Sequence, residues 1–284
     1  MVPQVLKSIN FDLKNTVFSY IPNTAEISFL GMMSGVEDYL ISKRKEIIID
    51  HKPSADSLED LLTFKPRIEK LVLKDAKLRT FIADASHRDE LVAHVYDTTF
   101  EVIQKDRDSL VIIDDSIVRG TTLEKSILTL LDNLNPKKIV IISSAPQIRF
   151  PDCYGIDMSK MKDFVAFRAV LALLIDEGKE YLLEDVLEKC LAVKDKVNEV
   201  NYVKELYAPF SYDQVSQKIG EIVKPKKMKA VLEVVFQTVE GLHKACPDHL
   251  GDWYFTGDYP TKGGNSVVNT AFINFMKGVE VRAY

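Results

Sequence analysis

The chain has 284 residues, and its 46% hydrophobic and 28% charged residues are typical of a globular protein with a sizeable core, in one large domain or two modest ones. The formal net charge of -5 provides no basic field for nucleic acid, and the sequence shows neither an apolar run long enough to span a membrane nor an N-terminal signal core. We therefore expect a cytoplasmic protein that has neither nucleic acid nor a membrane among its partners.

Helices and strands alternate in the first half of the predicted structure. Apolar spacing, turn residues and capping residues define the elements. They are a helix at 1–16, a strand from 17, a helix to about 41, a strand at 45–50, a helix at 54–62, a strand at 108–113, a helix at 121–134 and a strand at 138–144. These elements predict an α/β fold, in which a mostly parallel sheet is covered by helices on both faces.

The pattern becomes helical after residue 163. The spacing predicts helices at 164–174, 180–193, 197–206, 212–223 and 227–243. Pro225 marks a break before the last of them. This region carries no motif with a chemical interpretation.

The most informative stretch is the run VIIDDSIVRGTT at residues 111–122. Its apolar residues predict the end of a buried strand, Asp114 and Asp115 stand where the strand stops, and a helix follows Gly120. Ligands of parallel sheets bind at the carboxyl ends of the strands. The N-terminus of a helix suits a phosphate, and paired carboxylates suit sugar hydroxyls or a hydrated Mg²⁺. The sequence therefore predicts a site for a sugar phosphate.

These residues also permit simpler interpretations. Two aspartates at a strand end more often form a turn or a cap, and Thr121 or Thr122 could serve only as a helix N-cap. The order of strand, acidic pair, hydroxyl-rich turn and helix favours a site. The loop has no Walker lysine and no three-glycine pattern, so it fits neither a nucleoside triphosphate loop nor a dinucleotide loop.

The run DDSIVRGTT closely resembles the phosphoribosyl pyrophosphate (PRPP) loop of type I phosphoribosyltransferases, and most of all that of the amidophosphoribosyltransferase family. Residues 17–26 are similar to the family's pyrophosphate loop, although Ala25 stands where the family often has serine. The segments 141–158 and 255–261 also resemble the family. The resemblance implies a type I phosphoribosyltransferase fold with a core at 1–163, a helical region packed on it at 164–245, and a C-terminal segment of the transferase domain at 246–284.

Residues 74–82 resemble the loop that closes over PRPP and excludes water. Arg79, in the matching run RTFI, is expected to contact the diphosphate. Lys74 and Lys77 could have the same role, but a solvated basic turn explains them equally well. The family's loop lysine cannot be assigned, because the stretch 86–94 contains an acidic pair and ends in His94.

The three cysteines, Cys153, Cys190 and Cys246, are odd in number and widely spaced, which indicates free thiols in a reducing compartment. Some members of the family carry an iron–sulfur cluster, but these residues cannot supply four thiolates. Cys246 and His249 have the spacing of zinc ligands without further partners. We expect Mg²⁺ as cofactor, no iron–sulfur cluster and no structural metal.

The resemblance implies an enzyme that makes 5-phosphoribosylamine from PRPP and ammonia, the first step of de novo purine synthesis. Binding, neutralisation of the diphosphate and exclusion of water would do most of the work. Arg79 is the expected catalytic residue, and Phe81 and Ile82 would wall the path of ammonia. The expected PRPP-binding residues are Asn23 and Thr24 near the diphosphate, Asp114 and Asp115 at the ribose hydroxyls and Mg²⁺, and Ser116, Ile117, Val118, Arg119, Gly120, Thr121 and Thr122 around the 5-phosphate.

In the family, ammonia comes from glutamine, which a separate N-terminal domain hydrolyses with an N-terminal cysteine. Nothing in this sequence matches that glutaminase domain, so we expect a segment of a longer protein rather than a stand-alone transferase, and a homo-oligomer. Two alternatives stay open. A phosphoribosyltransferase with another acceptor would share the loop, although the segment 143–158 argues against it. A non-catalytic PRPP-binding regulatory protein would agree with Ala25 and the departures at 83–94.

Overall fold

The computed structural model describes residues 1–51, 53–74, 96–98, 102–153, 158–194, 200–249 and 251–283. The strands are β1 (Thr16–Tyr20), β2 (Arg67–Ile68), β3 (Val72–Lys74), β4 (Tyr96–Thr98), β5 (Ser109–Asp114), β6 (Lys138–Ser143) and β7 (Val231–Phe236). The α-helices are α1 (Val2–Ser8), α2 (Glu26–His51), α3 (Ala55–Thr63), α4 (Leu128–Asp132), α5 (Val165–Asp176), α6 (Tyr181–Ala192), α7 (Lys204–Tyr207), α8 (Tyr212–Val223), α9 (Val239–Ala245), α10 (Trp253–Thr256) and α11 (Lys262–Met276). A π-helical turn at Leu123–Ile127 precedes α4, and a 3₁₀ turn at Met161–Asp163 precedes α5.

Five strands form the main sheet in the order β2-β1-β5-β6-β7. The pairs β1–β2, β1–β5 and β5–β6 are parallel, and the central strand β5 is fully buried from Leu110 to Ile113. Such burial requires cover on both faces, which explains why the strand reads as a continuous apolar run. Strands β3 and β4 form a separate antiparallel pair. The predicted α/β fold is confirmed, and it fits the arrangement expected of a type I phosphoribosyltransferase.

The strand predicted at 45–50 is wrong, because α2 continues through these residues to His51. The run of isoleucines suggests a strand locally, but most of these side chains are exposed, and no strand among the described residues pairs with them. Arg44 instead donates hydrogen bonds to the backbone oxygens of Leu61 and Phe64, so the helix is fixed to α3. The predicted helix at 54–62 is confirmed as α3, with Ser54 as its N-cap.

The helix predicted at 227–243 is also wrong, since residues 231–236 form the edge strand β7 and a helix begins only at Val239. The C-terminal region is therefore not entirely helical. The carboxylate of Asp132, at the end of α4, accepts hydrogen bonds from the backbone N–H groups of Lys229 and Ala230. These hydrogen bonds hold the backbone that leads into β7. Their acceptor, Asp132, is far away in the sequence.

The chain forms two compact units. Unit 1 comprises residues 1–115, 125–144 and 225–235 and contains the main sheet. Its core packs α1 and α2 against the sheet through the apolar residues Val5, Leu6, Ile9, Phe29, Met32, Met33, Val36, Val111, Ile113, Val140 and Ile142.

Unit 2 comprises residues 116–124, 145–224 and 236–284. In its core Phe167 of α5 meets Phe272 and Phe275 of α11, with ring centroids 6.2 Å and 4.9 Å apart in edge-to-face arrangements. Burial raises the pKa of Cys190 to about 12, so this thiol stays protonated at neutral pH. None of the helices in the described ranges is long and apolar enough to cross a membrane.

The segment that follows β6 is anchored inside unit 2. The buried Gln147 donates its side-chain N–H groups to the backbone oxygen of Tyr212 (2.9 Å) and the hydroxyl of Ser216 (2.7 Å), and its side-chain oxygen accepts from Arg149. The guanidinium of Arg149 lies 5.1 Å and 5.0 Å from the ring centroids of Tyr207 and Tyr212. Burial lowers the pKa of Arg149, and the two rings offset part of the cost of burying this cation.

Candidate functional site

Three neighbouring strands of unit 1 end at the same edge of the sheet, and hydrogen bonds join the residues that follow them. The N–H of Ile21, after β1, donates to the oxygen of Ile113 at 2.9 Å. The N–H of Ser144, after β6, donates to the oxygen of Asp114 at 2.9 Å, and its hydroxyl donates to the oxygen of Asp115 at 3.0 Å. The backbone of the acidic pair is therefore fixed at the carboxyl end of the central strand.

The two carboxylates of this pair have different surroundings. Asp114 is half-buried, and its Oδ1 accepts the N–H of Asp115 at 2.9 Å. Asp115 is exposed, and within the described ranges its side chain makes no hydrogen bond. This carboxylate can therefore accept hydrogen bonds from a ligand, or bind a metal ion, without breaking a contact of the fold.

The predicted pyrophosphate loop follows β1, the strand that pairs with β5. Asn23 and Thr24 are exposed, whereas Ala25 is fully buried in the apolar core of unit 1. The hydroxyl of Tyr20 donates to Glu26 at 3.0 Å, and burial together with this carboxylate raises the pKa of the tyrosine. The turn therefore presents two polar side chains at the edge where Asp114 and Asp115 lie.

The second part of the PRPP-like run, Ser116 to Glu124, belongs to unit 2. The buried side chains of Ile117 and Leu123 anchor its two ends. The hydroxyls of Ser116, Thr121 and Thr122 make no hydrogen bond within the described part of the chain. The helical segment predicted at 121–134 is confirmed. It begins at Thr121 and contains the π-helical turn at Leu123–Ile127, a feature that often accompanies functional sites.

Gly120 makes the turn of this loop possible. Its φ of 72° lies in the left-handed region, and a Cβ added here would stand 2.7 Å from Cγ1 of the buried Val223. Glycine is therefore required for two reasons, the backbone conformation and the close approach of α8.

Substitution of Gly120 separates these two reasons if it is compared with Gly178. Gly178 has a φ of 64° but nothing within 4 Å of an added Cβ. We expect Gly178→Ala to lower the free energy of unfolding by about 1 kcal/mol through backbone strain, and Gly120→Ala by roughly 2–4 kcal/mol because overpacking adds to the strain. Urea unfolding of both variants measures the difference. Equal losses would contradict the steric role of Val223.

Most of the predicted site residues lie in the described part of the chain. Asn23, Thr24, Asp114 and Asp115 follow neighbouring strands of unit 1, and residues 116–122 form one loop of unit 2. The expected closing-loop residues Lys77, Arg79, Phe81, Ile82 and the stretch 86–94 lie outside the described residues, as do residues 154–157 and the side chain of Lys74.

Two residues that form hydrogen bonds to the predicted site residues are not predicted from the sequence. Ser144 binds the backbone of the acidic pair, and Arg168 donates to the oxygen of Arg119 at 2.6 Å. Ser144 stands in the segment that carries the family resemblance, but the resemblance implies no role for it. Arg168 lies in a helix without a motif, so no sequence signal was available for it.

No family model matches the chain. Several known proteins, all described as amidophosphoribosyltransferases, are similar to it in sequence. The amidophosphoribosyltransferase of Pasteurella multocida (strain Pm70) is 34% identical over 137 residues, which cover 44% of this chain and 27% of that protein. The amidophosphoribosyltransferase of Lachancea kluyveri is 34% identical over 135 residues, or 44% of this chain and 26% of that protein. That of Escherichia coli (strain K12) is 45% identical over 58 residues, or 20% and 11%. The chain is related to the amidophosphoribosyltransferases.

The predicted resemblance of the chain to the amidophosphoribosyltransferases is thereby confirmed. The chain spans about a quarter of the length of the Pasteurella and Lachancea relatives, at 27% and 26%. Among solved structures, the glutamine PRPP amidotransferase from B. subtilis complexed with ADP and GMP matches 87% of this chain and 38% of that chain, with a TM-score of 0.43 and 20% identity. The relationship therefore rests on the sequence matches.

Proposed function

We propose that this chain is a phosphoribosyltransferase of the amidophosphoribosyltransferase type, which binds PRPP with Mg²⁺ and forms 5-phosphoribosylamine from ammonia. The observation that supports this most is the unbroken run from Asp114 to Thr122. It begins with two carboxylates at the carboxyl end of the central parallel strand and continues into a glycine turn and a helix start. A ligand with vicinal hydroxyls and a phosphate matches this order of groups.

The residues present fit a magnesium ion. Mg²⁺ prefers oxygen ligands and keeps several waters, so one or two carboxylates together with substrate phosphates are its usual partners. The half-buried Asp114 and the exposed Asp115 offer two such carboxylates at consecutive positions of the chain. Among the described residues no cluster of three acidic, histidine or cysteine side chains forms a closed metal cage. Asp114 and Asp115 would hold the ion, which would neutralise the charge of the leaving diphosphate.

The remaining roles follow from the chemistry of PRPP. Asp114 and Asp115 would accept hydrogen bonds from the ribose hydroxyls, and the N–H groups and hydroxyls from Ser116 to Thr122 would bind the 5-phosphate. Asn23 and Thr24, exposed on the turn after β1, would bind the diphosphate. Arg79 would approach that diphosphate when its loop closes.

The proposed reaction makes small demands on protein acids and bases. The bond between the anomeric carbon and the diphosphate oxygen breaks, the ammonia nitrogen bonds to that carbon, and the nitrogen then loses a proton to solvent. Orientation of the sugar and exclusion of water therefore matter most, because water is the competing nucleophile. Phe81 and Ile82 would wall the path along which ammonia enters.

Calorimetry and a turnover assay test the proposal. We expect the chain to bind PRPP when Mg²⁺ is present, with weaker binding when EDTA removes the ion, and to release diphosphate when ammonium chloride is added above neutral pH. Glutamine in place of ammonia is expected to give no product from this polypeptide. The absence of PRPP binding with Mg²⁺ present would overturn the proposal.

The same measurements decide between the alternatives. Binding of PRPP without turnover would favour a regulatory PRPP-binding protein, for which the buried Ala25 in place of a hydroxyl is the supporting observation. Turnover with a nucleobase but not with ammonia would favour a phosphoribosyltransferase with another acceptor.

A further inference from the structure

Three consecutive carbonyl groups of the loop in unit 2 accept hydrogen bonds from the protein. The oxygen of Val118 accepts the N–H of Val165 at 2.8 Å, and the oxygen of Arg119 accepts from the guanidinium of Arg168 at 2.6 Å. The oxygen of Gly120 accepts the N–H of Glu124 at 3.0 Å. Val165 and Arg168 both belong to the beginning of α5, so this helix binds two adjacent peptide groups of the loop.

These contacts determine where the N–H groups of the loop point. In a trans peptide the C=O and N–H bonds point in opposite directions. The N–H of Gly120 therefore points away from Arg168, and the N–H of Thr121 points away from Glu124. Neither N–H donates to another backbone oxygen within the described ranges. Successive N–H groups beside a left-handed residue, here Gly120, form a concave anion-binding surface.

Within the described residues, the side chain of Arg168 makes its hydrogen bond to this loop. Its guanidinium forms no ion pair with a carboxylate in the described part of the chain, and its Nε is buried there without a hydrogen-bond partner. A buried donor without a partner lowers the stability of a fold. The Nε group therefore does not explain why an arginine stands at this position. Its Nη2 instead makes a short, charge-assisted hydrogen bond to the peptide between Arg119 and Gly120.

We propose that Arg168 is a positioning residue for phosphate binding: it holds the Arg119–Gly120 peptide so that the N–H of Gly120 faces the phosphate of the sugar substrate. This proposal rests on the proposed function, since it assigns the loop to the 5-phosphate of PRPP. Arg168 itself does not contact the phosphate, because it binds the opposite side of the same peptide group.

Arg168→Met, Arg168→Lys and the control Arg44→Met test this role. Arg44 also donates to backbone oxygens, those of Leu61 and Phe64, but in unit 1 and outside the loop. The probes are PRPP with Mg²⁺, and ribose 5-phosphate, which shares the 5-phosphate and lacks the diphosphate. For Arg168→Met we expect the Kd for both probes to rise roughly tenfold or more, KM for PRPP to rise more than kcat falls, and amide hydrogen exchange at residues 118–122 to accelerate.

The conservative variant and the control separate positioning from general instability. Arg168→Lys keeps a charged donor and is expected to recover part of the affinity, and this variant decides the matter if Arg168→Met does not fold. Arg44→Met is expected to leave both Kd values and the exchange of the loop unchanged. Unchanged Kd values in both Arg168 variants, with a wild type that binds PRPP, would overturn the role of Arg168 and leave the proposed function standing. A wild type that binds neither probe would overturn the proposed function, and unchanged loop exchange in Arg168→Met would then overturn the positioning as well.

Discussion

Asp115→Asn is expected to abolish ammonia-dependent turnover of PRPP while the fold stays intact. The carboxylate is exposed and makes no hydrogen bond within the described residues, so its loss removes no contact of the native structure. The backbone bonds of Asp115 to Asp114 and Ser144 do not depend on its side chain. We expect turnover to fall by about 100-fold or more and the free energy of unfolding to change by less than about 0.5 kcal/mol.

Asp106→Asn is the matched control for this substitution. Asp106 is also exposed, and its φ of 58° is one that asparagine tolerates. The control should retain wild-type turnover and stability. Diphosphate release and thermal unfolding measured on both variants give the answer. Turnover near the wild-type rate in Asp115→Asn would contradict the assignment of the acidic pair to the substrate.

A large effect on stability is expected from Asp108→Ala. Asp108 is fully buried just before β5, and its Oδ2 accepts from the guanidinium of Arg67 at 2.7 Å and from the N–H of Gln104 at 2.8 Å. Arg67, in the edge strand β2, also donates to the oxygen of Val102. Removal of the carboxylate leaves a partly buried cation without its counter-charge. We expect the free energy of unfolding to fall by about 3 kcal/mol and the melting temperature to fall by roughly 6–12 °C.

Two further variants show whether burial of the ion pair causes the loss of stability in Asp108→Ala. Glu46→Ala breaks an ion pair with Lys43 in which both side chains are about half exposed, and should cost at most about 0.5 kcal/mol. The double variant Arg67→Met with Asp108→Ala should be more stable than Asp108→Ala alone, because it removes the uncompensated charge. Calorimetric unfolding provides the comparison. A loss in Asp108→Ala no greater than in Glu46→Ala would contradict the importance of the buried pair.

The parts of the fold that could be predicted from the sequence are those with local signals. The buried strand before Asp114 reads as an uninterrupted apolar run, and α3 is preceded by its N-cap Ser54, whose hydroxyl accepts the N–H of Ser57. The predictions for residues 45–50 and for the residues of β7 are wrong for one common reason. Whether an apolar, β-branched segment forms a strand depends on a neighbouring strand, which β7 finds beside β6 and residues 45–50 do not.

The candidate site also has a part that could be predicted from the sequence and a part that could not. The loop from Asp114 to Thr122 is contiguous, so its order of charged, hydroxyl and glycine residues could be read directly. Its supports could not be predicted, because Val223, Val165 and Arg168 reach the loop only through the packing of α5 and α8 in unit 2. Periodicity correctly predicts that these residues lie in helices, but it does not indicate what the helices contact.

The order in which the sheet acquires its strands has a consequence for synthesis on the ribosome. Strand β6 ends at Ser143, whereas its outer neighbour β7 begins only at Val231, after most of the α-helical residues of unit 2. While the intervening chain is being made, the apolar strand β6 has an unpaired edge. Such an edge pairs readily with other nascent chains. Aggregation during expression should therefore be most severe for polypeptides truncated between these two strands, whereas those that extend past Phe236 can complete the sheet.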